Sequence, residues 1–188
     1  MDADFLGGLA PPPTVSRKTV TITGLHVDVY GLDELAPTAT HMSCLWLHNP
    51  RLCTKEDMAD IARRSVSAWN ARVASGLDRE RGLIALAFDQ RNHGSRMVRE
   101  QANNAWREGN ETHAQDMLGI ISGTVVDQSL LIDAAGGYLF HDDDKREIDQ
   151  HLALGVSLGG HSVWQTMFAE PRVSAGVVII GCPDLMCK

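Results

Sequence analysis

An α/β fold, with a mostly parallel sheet and helices on both faces, is what this 188-residue sequence predicts. Three observations predict it. Short apolar runs of strand length recur through the chain, segments with apolar residues at helical spacing separate them, and after an initial hairpin the two alternate, so that each new strand returns to the sheet by a crossover. No internal repeat interrupts this order, and the length suits one domain with one sizeable core.

The pattern starts near Lys18. Before it, Gly7-Gly8 and Pro11-Pro12-Pro13 resist helix and ladder alike, so residues 1–17 read as a flexible extended arm and residues 18–188 as the domain. From Thr19 to Tyr30, Val20, Ile22, Val27 and Val29 alternate around Gly24, which predicts a strand hairpin. Met42 to Leu47 predicts a third strand, ending at His48-Asn49-Pro50. Between Thr54 and Val73, Met58, Ile61, Ala62, Ser65 and Trp69 recur at helical spacing, with Thr54 placed as N-cap and Asp57 three residues on as its acidic partner. The continuous apolar run Gly82 to Phe88 predicts a strand covered on both faces, followed by a polar turn from Asp89 to Gly94.

Residues 96–111 are polar and carry Asn103-Asn104 and Gly109-Asn110, which predicts a long surface excursion with one helical turn near Trp106. Met117, Ile120, Ile121, Val125 and Leu131 supply the apolar face of a second helix from His113 to Ala135. The acidic segment His141 to Asp149 predicts a solvated connection. Leu152 to Val156 then predicts a buried strand, Gly159 to Ala169 a third helix, and Val173 to Gly181 a last buried strand.

Composition narrows the function. Seventeen Lys and Arg against twenty-four Asp and Glu leave a formal charge of -7, which offers a polyanion little attraction, so nucleic acid is excluded as a partner. The N-terminus, Met1-Asp2-Ala3-Asp4-Phe5, lacks the basic and apolar regions of a secretory signal. No unbroken apolar run approaches the roughly 18 residues of a membrane span. Cys44, Cys53, Cys182 and Cys187 are irregularly spaced and read as reduced thiols, so the expected location is the cytoplasm. Cys44, His48 and Cys53 lack compact ligand spacing, and neither a metal nor a cofactor is predicted.

One motif carries chemistry. Gly155-Val156-Ser157-Leu158-Gly159 joins the strand ending at Val156 to the helix that follows, and so tight a turn strains the serine backbone while lifting its hydroxyl clear of the sheet. The competing explanation is a glycine-rich turn used for packing or for a phosphate at the helix N-terminus. A dinucleotide site would need Gly-x-Gly-x-x-Gly, which neither this turn nor Thr23-Gly24-Leu25 after the first strand provides.

Together with two further segments, this motif makes the chain from residue 18 onward resemble the α/β-hydrolases. Leu45-Trp46-Leu47 followed by His48-Asn49-Pro50 is similar to the family's His-Gly oxyanion loop, and Phe88-Asp89-Gln90-Arg91-Asn92-His93-Gly94 is similar to its Asp-x-Arg-Gly-His-Gly turn. The resemblance implies Ser157 as nucleophile, with the backbone N–H of Leu158 and that of Asn49 as oxyanion donors, Pro50 having no N–H to give. It also implies a structural role for His93, tying Asp89 and Arg91 into a hydrogen-bonded corner. The glycine usual after the histidine is replaced or deleted at Asn49.

The family's chain order is serine, acid, histidine, and no histidine follows His161. Asp184 is the candidate acid, with a cap or turn residue as the alternative. The expectation is therefore an α/β-hydrolase fold truncated after about the sixth strand, with an open sheet edge suited to self-association. The expected function is that of a serine hydrolase acting on an ester, thioester or amide of a small molecule, weakened or inactive as truncated. The alternative is a non-catalytic hydrolase-like binding protein or pseudoenzyme.

Overall fold

The computed structural model describes residues 8–76 and 81–184; Met1 to Phe5, Gly7 of the arm and Cys187 lie outside the described residues. Six strands, β1 (Arg17–Ile22), β2 (Leu25–Tyr30), β3 (His41–His48), β4 (Arg81–Phe88), β5 (Glu147–Val156) and β6 (Val173–Ile179), form one sheet in the spatial order β1-β2-β4-β3-β5-β6. The hairpin of β1 and β2 closes through Thr23 and Gly24, both at positive φ, the geometry that matches a two-residue turn to strand twist. β2 meets β4 antiparallel, while β4, β3, β5 and β6 run parallel.

Three helices complete the crossovers: α1 (Ala59–Ala74), α2 (His113–Leu139) and α3 (Leu158–Ala169). α1 is preceded by a 3-10 turn whose first N–H, at Thr54, donates to the Asp57 carboxylate at 2.7 Å, so the expected capping pair forms. Met58, Ile61, Ala62 and Val66 bury one sheet face with Tyr30, Leu45, Leu47, Leu83 and Ala85. Leu131, Ile132 and Ala135 of α2 and Val163 of α3 bury the other, over Met42, Cys44, Trp46, Ile84, Leu86 and Phe88. The strands β3 and β4 lie between the two layers, which is why their sequences are unbroken apolar runs.

Three expectations need correction. β5 begins at Glu147, inside the stretch expected to be a solvated connection; its first residues form strand while their side chains stay largely exposed. β6 is not buried: among the described residues it pairs only with β5, and Ser174, Ala175, Val177 and Ile179 are exposed. The excursion after β4 holds three short 3-10 turns, at Gly94–Arg96, Glu100–Asn103 and Trp106–Glu108, where one was expected. Within the arm, Val15 is buried and Ser16 donates through its hydroxyl to Glu34 at 2.6 Å.

Among the described residues α2 is the single helix long and apolar enough, by length and composition, to cross a bilayer. Asp116, Asp127 and Asp133 interrupt it, so its sequence contains no unbroken apolar run of spanning length. Its Leu131, Ile132 and Ala135 lie in the core described above, while Leu118, Val126, Leu130 and Tyr138 are exposed.

Candidate active site

The parallel register fixes where β3 and β5 end. His48 stands opposite Gly155, so the backbone leaving β3 meets the turn leaving β5. In that turn Ser157 has φ 53° and ψ −112°, a conformation that costs an L-residue about 1–3 kcal/mol and persists only where its surroundings impose it. Here they do. The Ser157 N–H donates to the Ile179 carbonyl at the end of β6, at 2.8 Å. A Cβ on Gly155 would collide with the Gly159 carbonyl, and one on Gly159 would collide with the His48 carbonyl and stand 2.9 Å from that of Asn49. Both glycines are thus demanded by backbone approaching backbone.

The expected site residues fall into two groups. Gly155, Ser157, Leu158, Gly159 and Asn49 come together at this end of the sheet. Leu158 opens α3, so its N–H has no partner within the helix, and its side chain packs on Ile120 and Ile121 of α2. Asn49 is fully buried, its side-chain amide donating to the carbonyls of Pro50 and Cys53 at 3.0 and 2.8 Å. Asp184 lies apart from the elbow turn in sequence and is exposed, on the segment that follows β6.

The nearby histidines are committed elsewhere. His48 is closed off from solvent, stacks edge-on against Phe88 and donates from Nε2 to Gln128 on α2 at 2.7 Å; burial pulls its pKa down to about 4, although the hydrogen bond to Gln128 opposes this, so the ring is neutral near pH 7. His93 donates from Nδ1 to the Arg91 carbonyl at 2.9 Å, and burial lowers its pKa as well. The corner is built differently from the expectation: Asp89 accepts from the Lys55 N–H and from Ser95, and the Arg91 guanidinium pairs with Asp127. His161 sets its Nδ1 2.9 Å from the Cys182 carbonyl.

No protein-family model and no curated protein matches the sequence. Solved structures do match. TT1662 from Thermus thermophilus superposes with TM-score 0.63 at 17% identity, over 94% of this chain and 60% of its own. A predicted CIB-like hydrolase from Thermoplasma acidophilum gives TM-score 0.50 at 14% identity, over 89% of this chain and 63% of its own. The chain has an α/β-hydrolase fold. It spans about 60% of the length of TT1662, and identities this low establish the α/β-hydrolase architecture alone.

Two features of the structure escaped sequence reading. A set of uncharged polar side chains, Gln90, Thr124, Gln128, Ser162 and Thr166, is wholly buried behind the elbow. Nothing in their spacing announces it, because they come from three separate elements. At the opposite end of the sheet, His41, Glu147 and Asp149 bring one ligand atom each within 4.8 Å of one another. Arg81 holds both Asp149 oxygens, at 2.7 and 3.0 Å, so the group is read as an ion-pair cluster.

Proposed function

We propose that this chain is a serine hydrolase that cleaves an ester, thioester or amide of a small molecule through an acyl-enzyme on Ser157. One observation carries the reading: a serine at φ 53° between two glycines that backbone contact requires, at a strand-to-helix turn. Such strain is retained where a side chain must be presented in one direction. The Ser157 hydroxyl would attack the substrate carbonyl and give its proton to solvent water, the oxyanion would be held by the N–H of Leu158, at the positive end of α3, with that of Asn49 as second donor, and its collapse would expel the alcohol, thiol or amine before a second water releases the acyl group. Asp184 is proposed as the acid of the triad.

A second reading is a hydrolase-like binding protein. It is favoured by the commitments of His48, His93 and His161, each of which is hydrogen-bonded to a group other than Ser157. An unassisted serine is a weak nucleophile at neutral pH. Labelling with a fluorophosphonate separates the two: a signal that disappears in Ser157→Ala supports the hydrolase, and its absence in the wild type gives the binding protein the lead.

The cytoplasm is the proposed location, in keeping with the unpaired thiols of Cys44, Cys53 and Cys182. Self-association through β6 is proposed from its exposed Val177 and Ile179, and sedimentation velocity at rising concentration tests it.

A further inference from the structure

Gln90 stands two residues past the end of β4 and is wholly buried, as are Asn49, Thr124 and Ser162 around it. Its Nε2 donates to the Asn49 carbonyl. Its Oε1 accepts from the Ser162 hydroxyl at 2.8 Å and lies 3.3 Å from that of Thr124. The orientation of the amide is settled by chemistry, since a carbonyl can only accept and so must face the NH₂. One side chain thereby joins three elements: the loop leaving β3, the elbow helix α3 one turn beyond Ser157, and α2.

Core packing alone does not call for this arrangement. Burying an amide costs free energy that its hydrogen bonds only return, and an apolar side chain of the same size would fill the space without that cost. What an apolar side chain would not do is set the distance between the Asn49 main chain and α3. That distance governs how the Leu158 N–H and the 48–49 backbone converge. A second buried amide, Gln128, makes a parallel tie, accepting from His48 Nε2 at 2.7 Å and lying 3.4 Å from the Thr166 hydroxyl, but it grips side chains where Gln90 grips the backbone.

We propose that Gln90 is the positioning residue of the oxyanion site, clamping the Asn49 carbonyl to Ser162 and so fixing the loop after β3 against the elbow. The inference rests on the serine-hydrolase reading for its catalytic meaning. The geometric clamp is testable without it.

The test uses the full chain, comparing wild type, Gln90→Met, Ser162→Ala and Thr166→Val. Fluorophosphonate labelling is resolved into its saturating rate and its half-saturation constant. Gln90→Met should lower the saturating rate by about ten-fold with little change in half-saturation, since a misplaced donor weakens the transition state more than binding. Ser162→Ala, which cuts one end of the tie and serves if Gln90→Met does not fold, should lower it by roughly three-fold. Thr166→Val removes an equally buried hydroxyl from the same helix without touching the clamp, and its saturating rate should stay within about two-fold of wild type. An unchanged or faster rate in Gln90→Met, or an equal fall in Thr166→Val, overturns the proposal. If wild type is not labelled at all, the hydrolase reading has failed and crystal structures decide on the clamp. A shift of residues 48–50 relative to α3 by about 0.5 Å or more in Gln90→Met, absent in Thr166→Val, supports it, and no such shift overturns it.

Discussion

At their C-terminal ends β3, β4 and β5 run into groups that water does not reach: His48, Gln90 and the glycines of the elbow are uncharged there, and the carboxylate beside them, Asp89, is itself buried and hydrogen-bonded. At their N-terminal ends the same strands carry the charged Arg81, Glu147 and Asp149 together with His41, all of them partly exposed. Both ends join neighbouring strands, yet by different means. Neutral hydrogen bonds and backbone contacts without a gap depend on shape, and salt does little to them. Exposed ion pairs tolerate small displacements, are screened, and contribute little each. Geometric precision is concentrated where Ser157 stands.

The largest expected effect breaks that precision directly. Gly159→Val places branched carbons against the His48 and Asn49 carbonyls and should cost at least about 3 kcal/mol or prevent folding. Gly119→Ala, in α2 with nothing within 4 Å of the new Cβ, should instead gain about 0.5–1 kcal/mol. Urea unfolding of both variants checks the contrast, and equal outcomes would show that the elbow is slack.

Next comes pH. His48 titrates at 6.5 when unfolded and at about 4 when folded, because burial disfavours the charged ring. The unfolded chain therefore takes up the proton first, and stability that is fully present above pH 6.5 is lost as pH falls toward 4, by about 3 kcal/mol for this residue. His93 and His151, also lowered by burial, add to the loss in the same direction. Glu170 acts lower: Arg172 holds its pKa at about 2, so its contribution is lost only below the ordinary carboxylate value of 4.5. His48→Gln should flatten the stability profile between pH 6.5 and 4, measured by denaturant midpoints across that range. A profile as steep as that of wild type would count against His48 as its source.

A smaller effect sharpens the elbow itself. Ser157→Gly relieves the positive φ that Ser157→Ala retains, so the glycine variant should be the more stable of the two by about 1 kcal/mol, once glycine's extra unfolded-state freedom is set against the strain. Neither should label. An alanine variant at least as stable as the glycine variant would mean that Ser157 carries little strain.

Sequence reading reached the C-terminal end well and the other end poorly. The elbow was legible because Gly155 and Gly159 are the only residue type that fits, and such a requirement leaves a fixed spacing in the sequence. The parallel strands were legible as apolar runs because both faces are covered. Glu147 to Gln150 were not, since an exposed strand extension has the composition of a loop; only its pairing with His41 to Ser43 makes it strand. The exposure of β6 was hidden for the opposite reason, Val173 to Ile179 being apolar whether or not anything packs on them. The Gln90 clamp was illegible because an amide's two ends reach partners 41 residues before it and 72 after it, a relation that no local pattern carries.

The charged end supplies the smallest expected effect and the sharpest check on the comparison. Arg81 pairs with both oxygens of Asp149, a geometry that fixes direction as well as charge, and His41 adds a third contact at 2.9 Å. If exposure governs, Asp149→Asn should cost no more than about 1 kcal/mol, and raising salt to roughly 1 M should erase most of the difference from wild type, because the screening length falls to about 3 Å. His48→Gln measured in the same salt series should show no such convergence, its partner being uncharged and its surroundings dry. A loss in Asp149→Asn well above 1 kcal/mol that salt leaves intact would place a second rigid point at the start of β5, and the contrast between the two ends of the sheet would no longer hold.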